Sequence, residues 1–573
     1  MKVYYSTLVS VAVANIQAPD HVGATGASKM WQLPRSFRNQ LGWTRRYGRQ
    51  DASEIRLWGK AAVIGERDPA MRGRSRVPAD HPIVEGTAKM EPKVVPYQKT
   101  IDSLPSPKAS TGLSKEITSQ QSKGRLPILV VLDDDPTGTQ TCHDINVLTV
   151  WDRDVLVEEF QSTNSGFFIL TNSRALHPED ARTLIENICR AVKEAASIAG
   201  KDFELVLRGD STLRGHFPLE PEVAETVVGR VDGWILAPFF RQGGRLTIND
   251  IHYIADPEGN LVPAAQTPFA QDATFGYKSS NLRDYVVEKS KGAIPAGQVQ
   301  SISIEDVRTG GPEAVAEKLL GFSGKCVVVV NAVTDSDMEI FVQGLLKARE
   351  AGKRYIYRTG AAFVSTRLGI EQIPPLTASD LKMDLSASSP GGLIIAGSYV
   401  PKTTAQLDSL VSGRSTKLEV IVLEVDELLK GQTEAEQIVL DAADRAGQLI
   451  VDGKDVLIMT SRKIITGADE RSSLNIGTVV ANALVLFLRK LNPRPRYIIA
   501  KGGITSSDAA TKGLRMKIAK IVGQAASGVP LWRCGEPTSK FSGIPYVVFP
   551  GNVGEKETLR DLVASWAKVD ETQ

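Results

Sequence analysis

The sequence has few of the residues that mark disulfide-rich or metal-binding proteins. Only four cysteines occur in 573 residues, and no two of them form a CxxC pair. This spacing excludes a disulfide framework and a structural zinc site of the usual kind, and it is typical of reduced thiols in the cytosol. The six histidines are scattered and include no HExxH motif, which argues against histidine-based metal chemistry.

Long apolar runs and a strong charge of one sign are missing as well. No stretch approaches the ~18 consecutive apolar residues that a membrane-spanning helix needs. The formal net charge is only +2, so the chain as a whole is not a basic nucleic-acid binder. Hydrophobic residues make up 42% and charged residues 23% of the chain, a composition that predicts a globular protein. We expect neither a membrane nor a nucleic acid as a partner.

Residues 1–124 differ from the rest of the chain. They show no sustained helical or alternating pattern, and over residues 1–89 Lys and Arg outnumber Asp and Glu by 14 to 7. A basic N-terminus is typical of a mitochondrial transit peptide, but acidic residues begin at Asp20, and apolar and polar positions do not segregate. We therefore expect a disordered extension, or a leader ahead of a start near Met90, and a cytoplasmic protein, with mitochondrial targeting as the weaker alternative.

From residue 125 onward, short β-branched apolar runs alternate with helical stretches, which predicts parallel strands joined by crossover helices. One series runs from Ile128–Leu132 to Tyr355–Tyr357, and a second from Gly392–Ala396 to Tyr546–Phe549. We therefore predict an α/β protein with two domains, mainly parallel sheets and an active-site cleft between the domains. The predicted boundaries are 1–124 for the extension, 125–378 for the first domain, 379–390 for the linker and 391–573 for the second domain.

The first predicted strand ends in three consecutive carboxylates, Asp133, Asp134 and Asp135, followed by a Pro-Thr-Gly-Thr turn. In open α/β sheets, ligands bind beyond the carboxyl ends of the strands. Three adjacent carboxylates repel one another unless a cation, substrate hydroxyls or a shared proton offsets their charge. Carboxylates in such a place can orient a hydroxyl or accept its proton. The alternative is an N-cap and turn cluster on a solvated loop.

Arginines follow the next strands of the series. Arg208 and Arg214 bracket an Asp-Ser-Thr turn after the third strand, and Arg241 and Arg245 flank two glycines after the fourth. Guanidinium groups bind carboxylates with paired hydrogen bonds. Four arginines at strand ends of one sheet therefore predict a cationic floor for a small organic acid. The structural alternative is that these arginines pair with neighbouring carboxylates.

These segments resemble the substrate domain of the four-carbon acid sugar kinase family. The DD-x-TG signature of that family matches residues 134–138, its DSTLRG motif matches residues 210–215, and its Pro/Gly/Arg segment matches Pro238, Gly244 and Arg245, followed by Asp256-Pro257. The resemblance covers residues 125–573. With the residue patterns above, it implies Asp134 and Asp135 as catalytic residues and, for substrate binding, Asp133, Thr137, Arg208, Asp210, Ser211, Arg214 and Arg245.

The second predicted domain contains three glycine turns after strands, beginning at Gly397, Gly502 and Gly551. A glycine turn that enters a helix presents free backbone N–H groups to an anion, although glycine also occurs at strand–helix junctions for structural reasons alone. The chain has no GxxxxGK[ST] motif, and no GxGxxG motif opens the first βα unit. These absences exclude a P-loop enzyme and argue against a standard dinucleotide fold.

This half resembles the nucleotide-binding domain of the same kinase family, whose GG-x-T and GN-x-G segments match residues 502–505 and 551–554. Many family members have an acidic residue where this chain has Ile504 and a lysine where it has Arg208. A metal role is therefore not transferred to Ile504, and metal ligands stay unassigned. The resemblance implies the following contacts with ATP: Ser398, Lys501, Gly502, Gly503, Ile504, Thr505, Gly551 and Asn552.

Residues and resemblance together predict an ATP-dependent kinase that phosphorylates a hydroxyl of a small sugar acid such as a threonate, an erythronate or a 3-oxo-tetronate. The reaction class requires Mg²⁺ on the phosphates of ATP. The expected partners are the sugar acid and ATP, and a homodimer stays open. Two alternatives remain: a non-catalytic sugar-acid binding or regulatory relative, and a dehydrogenase or aldolase, against which the missing dinucleotide motif and histidine cluster argue.

Overall fold

The structure of the chain is a computed structural model that describes residues 92–109, 112–324, 326–397, 400–413, 418–462 and 470–567, with the backbone alone at residues 470–475. All of the described residues belong to one compact unit of the chain. Residues 1–91 of the predicted extension lie outside the described residues, and so does Ser398, a predicted contact of ATP.

The described residues form nineteen strands, most of them short and rich in branched apolar side chains. In chain order they are β1 (Val95–Pro96), β2 (Ile128–Asp133), β3 (Ile145–Leu148), β4 (Gly166–Leu170), β5 (Phe203–Arg208), β6 (Gly233–Ala237), β7 (Arg245–Ile248), β8 (Ile251–Ala255), β9 (Asn260–Pro263), β10 (Val299–Ile302), β11 (Val327–Val330), β12 (Tyr355–Thr359), β13 (Leu393–Ala396), β14 (Leu418–Leu423), β15 (Asp455–Thr460), β16 (Ile498–Lys501), β17 (Ile518–Ala526), β18 (Val529–Cys534) and β19 (Pro545–Phe549).

Helices connect most of the parallel strands, since a parallel pair needs a crossover connection. In chain order they are α1 (Tyr97–Asp102), α2 (Leu113–Ser122), α3 (Arg153–Ser162), α4 (Pro178–Ala199), α5 (Leu219–Val228), α6 (Leu282–Lys289), α7 (Gly311–Gly321), α8 (Asp335–Glu350), α9 (Ala361–Leu368), α10 (Pro401–Ser412), α11 (Val425–Leu428), α12 (Gln432–Val451), α13 (Glu470–Lys490), α14 (Gly503–Asp508) and α15 (Thr558–Ser565). Within the described ranges, no helix combines the length and the apolar character that crossing a membrane requires.

Fifteen of the described strands form one continuous sheet in the order β10-β11-β6-β12-β5-β2-β4-β3-β17-β18-β19-β16-β13-β15-β14. The eight strands from β10 to β3 run parallel to one another, and so do the five from β19 to β14. Between the two sets, β17 is antiparallel to β3, β18 is antiparallel to β17, and β19 is antiparallel to β18. The predicted α/β class with mainly parallel sheets is confirmed, and the hairpin β17–β18 joins the sheets of the two halves.

Strand β2 shows why the sheet is predictable from sequence. Ile128, Val130 and Leu132 belong to one core layer, and Leu129 and Val131 belong to the layer on the other face. All five side chains are buried. A strand that is covered on both faces has to be apolar at successive positions, so polar residues appear only where the strand leaves the sheet.

Residues 92–109 and 112–124 differ from the predicted disordered extension. Strand β1 pairs with β9 in a separate four-stranded antiparallel sheet with β8 and β7. Helix α2 buries Leu113 and Ile117, and Oγ of Ser114 donates to the carbonyl of Gly369 over 2.7 Å. The prediction was wrong for these residues because two apolar side chains one helical turn apart make a weak pattern, and their partners lie in a distant part of the chain.

The predicted linker, residues 379–390, contains neither helix nor strand. Leu381 is buried in the core of the second half. The carbonyl of Leu381 accepts a hydrogen bond of 3.1 Å from Nη2 of Arg533. These contacts fix the segment to the second half of the molecule.

Candidate active site

The three aspartates lie at the carboxyl end of β2, inside the protein. Asp133 is the last residue of the strand, and Asp133 and Asp134 are only 1% and 4% exposed. Asp135 caps the 3₁₀ turn Pro136–Thr139, where its Oδ1 accepts hydrogen bonds from N and Oγ1 of Thr137 over 2.9 and 2.6 Å. The alternative of a capping cluster on a solvated loop therefore describes Asp135 in part, but not its two buried neighbours.

Asp133 faces Arg208 at the end of the neighbouring strand β5, with 3.1 Å between Oδ1 and Nη1. A methyl group at Gly138 would lie 2.1 Å from the same Oδ1, so the turn can pass over the carboxylate only with glycine at this position. Burial raises the pKa of Asp133 to about 7; Arg208 opposes this shift, and the charges of Asp134 and Asp135 add to it. The carboxyl group of Asp133 therefore titrates near neutral pH.

The free energy of unfolding is expected to fall as Asp133 ionises. A carboxyl whose pKa is raised in the folded state stabilises the fold while protonated; this contribution is complete below its ordinary value of 3.8 and is lost as the pH rises through about 7. In urea denaturation, the wild type should therefore lose up to about 1.4 kcal/mol per pH unit over this window relative to Asp133→Asn. Equal pH dependence in the two proteins would contradict the assignment.

Arg174 is the central cation of this cluster, and the sequence analysis missed it. It lies in the turn Ser173–Ala175 after β4. Its guanidinium forms a salt bridge with Asp135 and lies 4.0 Å from Oδ1 of Asp134 and 3.8 Å from Oδ1 of Asp210. Burial alone would lower the pKa of Arg174, but the three carboxylates raise it, so the side chain stays charged. The available signal was its place at a strand end, where ligand sites form.

Asp135 and Asp210 are held in the ionised form by arginines. Burial favours the protonated form of Asp135, but Arg174 and the two hydrogen bonds from Thr137 outweigh it and lower the pKa of this carboxyl. Burial is likewise outweighed at Asp210, whose pKa is lowered by Arg214 and Arg174. Nε of Arg214 donates to Oδ2 of Asp210 over 2.7 Å. The site therefore combines carboxylates that stay ionised with one that titrates near neutral pH.

The predicted floor of four arginines is only partly assembled. Arg208 and Arg214 lie beside the aspartates and pair with them. Arg241 instead pairs with Asp335 over 3.2 Å, and its side chain is 59% exposed. The prediction was wrong for Arg241 because spacing along a loop does not reveal which side of the loop a residue faces.

Arg245 forms no salt bridge with a carboxylate among the described residues, unlike Arg208, Arg214 and Arg241. Its guanidinium and that of Arg214 lie over the ring of Phe269, 6.0 and 5.2 Å from the ring centre. Nη1 of Arg245 donates to the carbonyl of Gly243, and its Nε has no hydrogen-bond partner among the described residues. Burial lowers the pKa of Arg245, a cost that a bound carboxylate would offset.

Asp134 offers acceptors that the protein leaves unused. Both of its oxygens, and Oδ2 of Asp133, are buried without a hydrogen-bond donor among the described residues. Arg174 and Arg208 lie 4.0 and 3.8 Å from Oδ1 of Asp134, which is beyond hydrogen-bond distance. Buried polar atoms normally have a partner. The hydroxyl groups of a small ligand would supply the missing donors.

The glycine turns of the second half meet at the ends of three neighbouring strands, β19, β16 and β13. Gly397 follows β13 and is closely packed. A methyl group at this position would lie 3.0 Å from Oγ1 of Thr505, in the first turn of α14 after β16. Oγ1 of Thr403 donates to the carbonyl of Gly551, in the turn after β19, over 3.1 Å. The structure thus brings together the predicted turns that begin at Gly397, Gly502 and Gly551.

Other predicted contacts of ATP differ in exposure. Lys501 is fully buried; its Nζ donates to the carbonyl of Pro550 over 2.5 Å and lies 4.2 Å from the centre of the Phe549 ring. Burial lowers the pKa of Lys501 to about 7. Ile504 and Asn552 are exposed. The contacts of Lys501 connect the ends of β16 and β19, while Ile504 and Asn552 face the solvent.

The aspartate turn and the Gly502 turn are in contact. A methyl group at Gly503 would lie only 3.1 Å from Oδ2 of Asp135. The turn after β4 also contacts the second half, since Nδ2 of Asn172 donates to Oγ of Ser507 over 2.7 Å. The predicted substrate residues and the predicted nucleotide residues therefore adjoin each other across the two halves of the sheet.

Two family models match the chain. The first is that of a sugar-binding N-terminal domain and matches residues 129–367; the second is that of a nucleotide-binding C-terminal domain and matches residues 393–559. This pair of domains is the architecture of the four-carbon acid sugar kinase family, and the chain belongs to that family. Its domains are thus those of a sugar-acid kinase type of protein.

Two solved structures share the fold, and a third is similar at a lower score. A Haemophilus influenzae protein of the family DUF1537 has a TM-score of 0.52 at 15% identity, covering 76% of this chain and 100% of its own. A Salmonella typhimurium LT2 protein, described provisionally as a tRNA synthase, has a TM-score of 0.53 at 14% identity, covering 75% and 97%. A Bordetella bronchiseptica DUF1537 protein with bound citrate, a domain-swapped dimer, has a TM-score of 0.33 at 19% identity, covering 77% and 99%. No curated protein has a significant match.

Proposed function

We propose that the protein is an ATP-dependent kinase that phosphorylates a hydroxyl group of a small sugar acid, such as a threonate, an erythronate or a 3-oxo-tetronate. The contact between Asp135 and the Gly503 turn supports this proposal most directly, because it joins the carboxylate cluster to the nucleotide-binding half. Phosphoryl transfer depends mainly on positioning the acceptor against the nucleotide and on neutralising charge. The carboxylates of this cluster would position the acceptor, and the arginines beside them would neutralise charge.

Asp134 is the group that we propose to orient and deprotonate the acceptor hydroxyl. Its two buried oxygens lack donors among the described residues, and a sugar acid would supply them from adjacent hydroxyl groups. As the acceptor oxygen forms its bond to the γ-phosphorus and the bond to the ADP oxygen breaks, the hydroxyl proton passes to the carboxylate. Asp133, Thr137 and Ser211 would complete the polar wall around the sugar.

The carboxylate of the sugar acid would bind at Arg245 and Arg214. Both guanidinium groups lie over Phe269, which restricts their motion and excludes water from one face. Arg208 and Asp210 would act as the frame of this subsite, since Arg208 pairs with Asp133 and Asp210 holds Nε of Arg214 in place. A planar fork of donors fits a carboxylate better than a point charge does.

The nucleotide would bind over the Gly502 and Gly551 turns, with backbone N–H groups directed at its phosphates. Glycine at Gly397 and Gly503 keeps this surface free of side chains that would crowd Leu484 and Asp135. The described residues include no group of three or more His, Cys, Asp or Glu able to hold a metal by themselves. Mg²⁺ would therefore enter on the phosphates of ATP and offset their charge.

The proposal is tested with the full chain and a panel of four-carbon sugar acids. Release of ADP from Mg-ATP should depend on one or a few of these acids, and the product should carry phosphate on a hydroxyl. No turnover with any tetronate or 3-oxo-tetronate would contradict the proposal. Calorimetry distinguishes this proposal from the alternative of a non-catalytic relative, which would bind the acid but not ATP. The feature that favours this alternative is the exposed Ile504, which stands in place of an acidic residue.

Replacement of Gly503 by alanine is expected to impair turnover without destabilising the fold. The new methyl group would lie 3.1 Å from Oδ2 of Asp135, so the aspartate turn must shift by a few tenths of an ångström. A displacement of this kind should lower kcat roughly 10-fold, because phosphoryl transfer depends on alignment. Steady-state kinetics and thermal unfolding measure the two effects.

Gly535→Ala is the matched control for this substitution, since a methyl group at Gly535 meets nothing within 4 Å. Its kcat should equal that of the wild type. Full activity in Gly503→Ala would show that the aspartate turn and the Gly502 turn do not act together.

A further inference from the structure

Four consecutive backbone carbonyls of the substrate loop, residues 210–215, accept hydrogen bonds from four buried side chains. The pairs are Nε2 of His252 with Ser211 O at 2.8 Å, Tyr277 OH with Thr212 O at 2.8 Å, Tyr285 OH with Leu213 O at 2.9 Å, and Nη2 of Arg358 with Arg214 O at 3.1 Å. A carbonyl in an ordinary surface loop is bonded to water. Here every carbonyl from Ser211 to Arg214 is instead held by the protein.

The four donors come from different elements. His252 lies on β8, Tyr285 on α6 and Arg358 on β12, and Tyr277 lies in the segment before α6. All four side chains are buried. Donors that converge on one loop from separate elements leave it little freedom to rearrange, because moving it would break several buried hydrogen bonds at once.

The loop has a backbone conformation that needs such support. Leu213 has a φ of 70°, in the left-handed region that costs a non-glycine residue about 1 kcal/mol or more. The guanidinium of Arg358 packs against the backbone so closely that a methyl group would lie 1.6 Å from Nη1 at Gly209 and 3.0 Å from Nη2 at Gly215. Gly209, just before the loop, and Gly215, its last residue, therefore make room for Arg358.

The loop carries one of the two arginines proposed to bind the carboxylate of the substrate. Nε of Arg214 donates to Oδ2 of Asp210, at the start of the loop, over 2.7 Å. The position of this guanidinium therefore depends on the conformation of the loop.

We propose that His252, Tyr277, Tyr285 and Arg358 form a carbonyl clamp that pre-organises the loop 210–215 for the anionic end of the substrate. The inference rests on the proposed sugar-acid kinase function for its kinetic part. The four residues are positioning residues: they act through the loop and need not touch the substrate. A clamp that is already closed in the free protein reduces the cost of ordering the loop on binding.

The test is the double variant Tyr277→Phe/Tyr285→Phe, which removes two hydroxyl groups and leaves the rings in place. Hydrogen exchange of the free protein should show the amides of residues 210–216 exchanging roughly 10-fold faster or more, since each buried hydrogen bond contributes about 1 kcal/mol. The KM for the sugar acid should rise about 5- to 10-fold while the KM for ATP stays unchanged.

Tyr355→Phe is the matched control, because its hydroxyl also donates to a buried carbonyl, Leu319 O at 3.0 Å, away from this loop. It should lower thermal stability without changing loop exchange or KM. If the double variant behaves like Tyr355→Phe in both measurements, the clamp is merely structural and the inference is wrong. Hydrogen exchange is measured on the free protein, so its result does not depend on turnover. If the wild type phosphorylates no sugar acid, the proposed function is wrong, but the exchange rates of the loop amides still test the clamp.

Discussion

Asp134→Asn is expected to reduce kcat by a factor of ~10² or more, the scale of a positioned proton acceptor. The amide keeps the size of the side chain but cannot take up a proton, and its NH₂ group would face hydroxyl donors where the carboxylate offers two acceptors. Asp134 is buried with both oxygens free of donors among the described residues. The effect is measured by steady-state kinetics with saturating Mg-ATP and sugar acid.

The exposed Asp154→Asn is the control for this substitution, since the side chain of Asp154 is 89% exposed. Its kcat should not change. Calorimetric titration of the sugar acid into Asp134→Asn checks that the site has kept its shape. Wild-type kcat in a folded Asp134→Asn protein would remove the carboxylate from the mechanism.

Arg174→Met is expected to lower the free energy of unfolding by about 3–5 kcal/mol, the cost of removing one partner from a buried ion pair. Arg174 is the shared partner of Asp134, Asp135 and Asp210. Without it, the buried Asp134 and the partly buried Asp135 and Asp210 lose their shared cation, so turnover should be lost as well. The loss of stability should be larger at high pH than at mildly acidic pH, because protonation of the carboxylates relieves the repulsion.

The control is Arg190→Met, which breaks an exposed pair with Glu186, 2.6 Å long and one helical turn away. Exposed pairs of this kind contribute at most about 1 kcal/mol. Thermal and urea unfolding of both variants at two pH values provide the comparison. If the two variants have the same free energy of unfolding at both pH values, the aspartates do not need this cation.

Most strands of the large sheet could be predicted because their residues are buried on both faces. The runs Ile128–Leu132 and Tyr546–Phe549 correspond to β2 and β19 within one residue at each end. The hairpin β17–β18 was not predicted. Its first strand alternates buried positions with mostly half-buried ones, and it pairs with β3, which is distant in sequence.

The site could be predicted only where the residues form a contiguous motif. The run from Asp133 to Asp135 stands out in the sequence because three carboxylates follow an apolar strand. Arg174 and Arg358 do not stand out, since a single arginine at a strand end is common and its partners are contributed by other strands. Oγ1 of Thr139 accepts a hydrogen bond of 2.9 Å from Nε1 of Trp532, 393 positions away, and no local pattern indicates such a contact.

Hydrophobic periodicity and short motifs were sufficient for the class of fold, the order of the two halves and the strand ends that hold the carboxylates and the glycine turns. They act over a few residues, so a single sequence displays them. The pairing of charges, the direction of each arginine and the meeting of Asp135 with Gly503 depend on contacts between segments hundreds of residues apart. Those contacts exist only once the chain has folded, because a pattern of a few neighbouring residues does not specify which distant segment will pack against it.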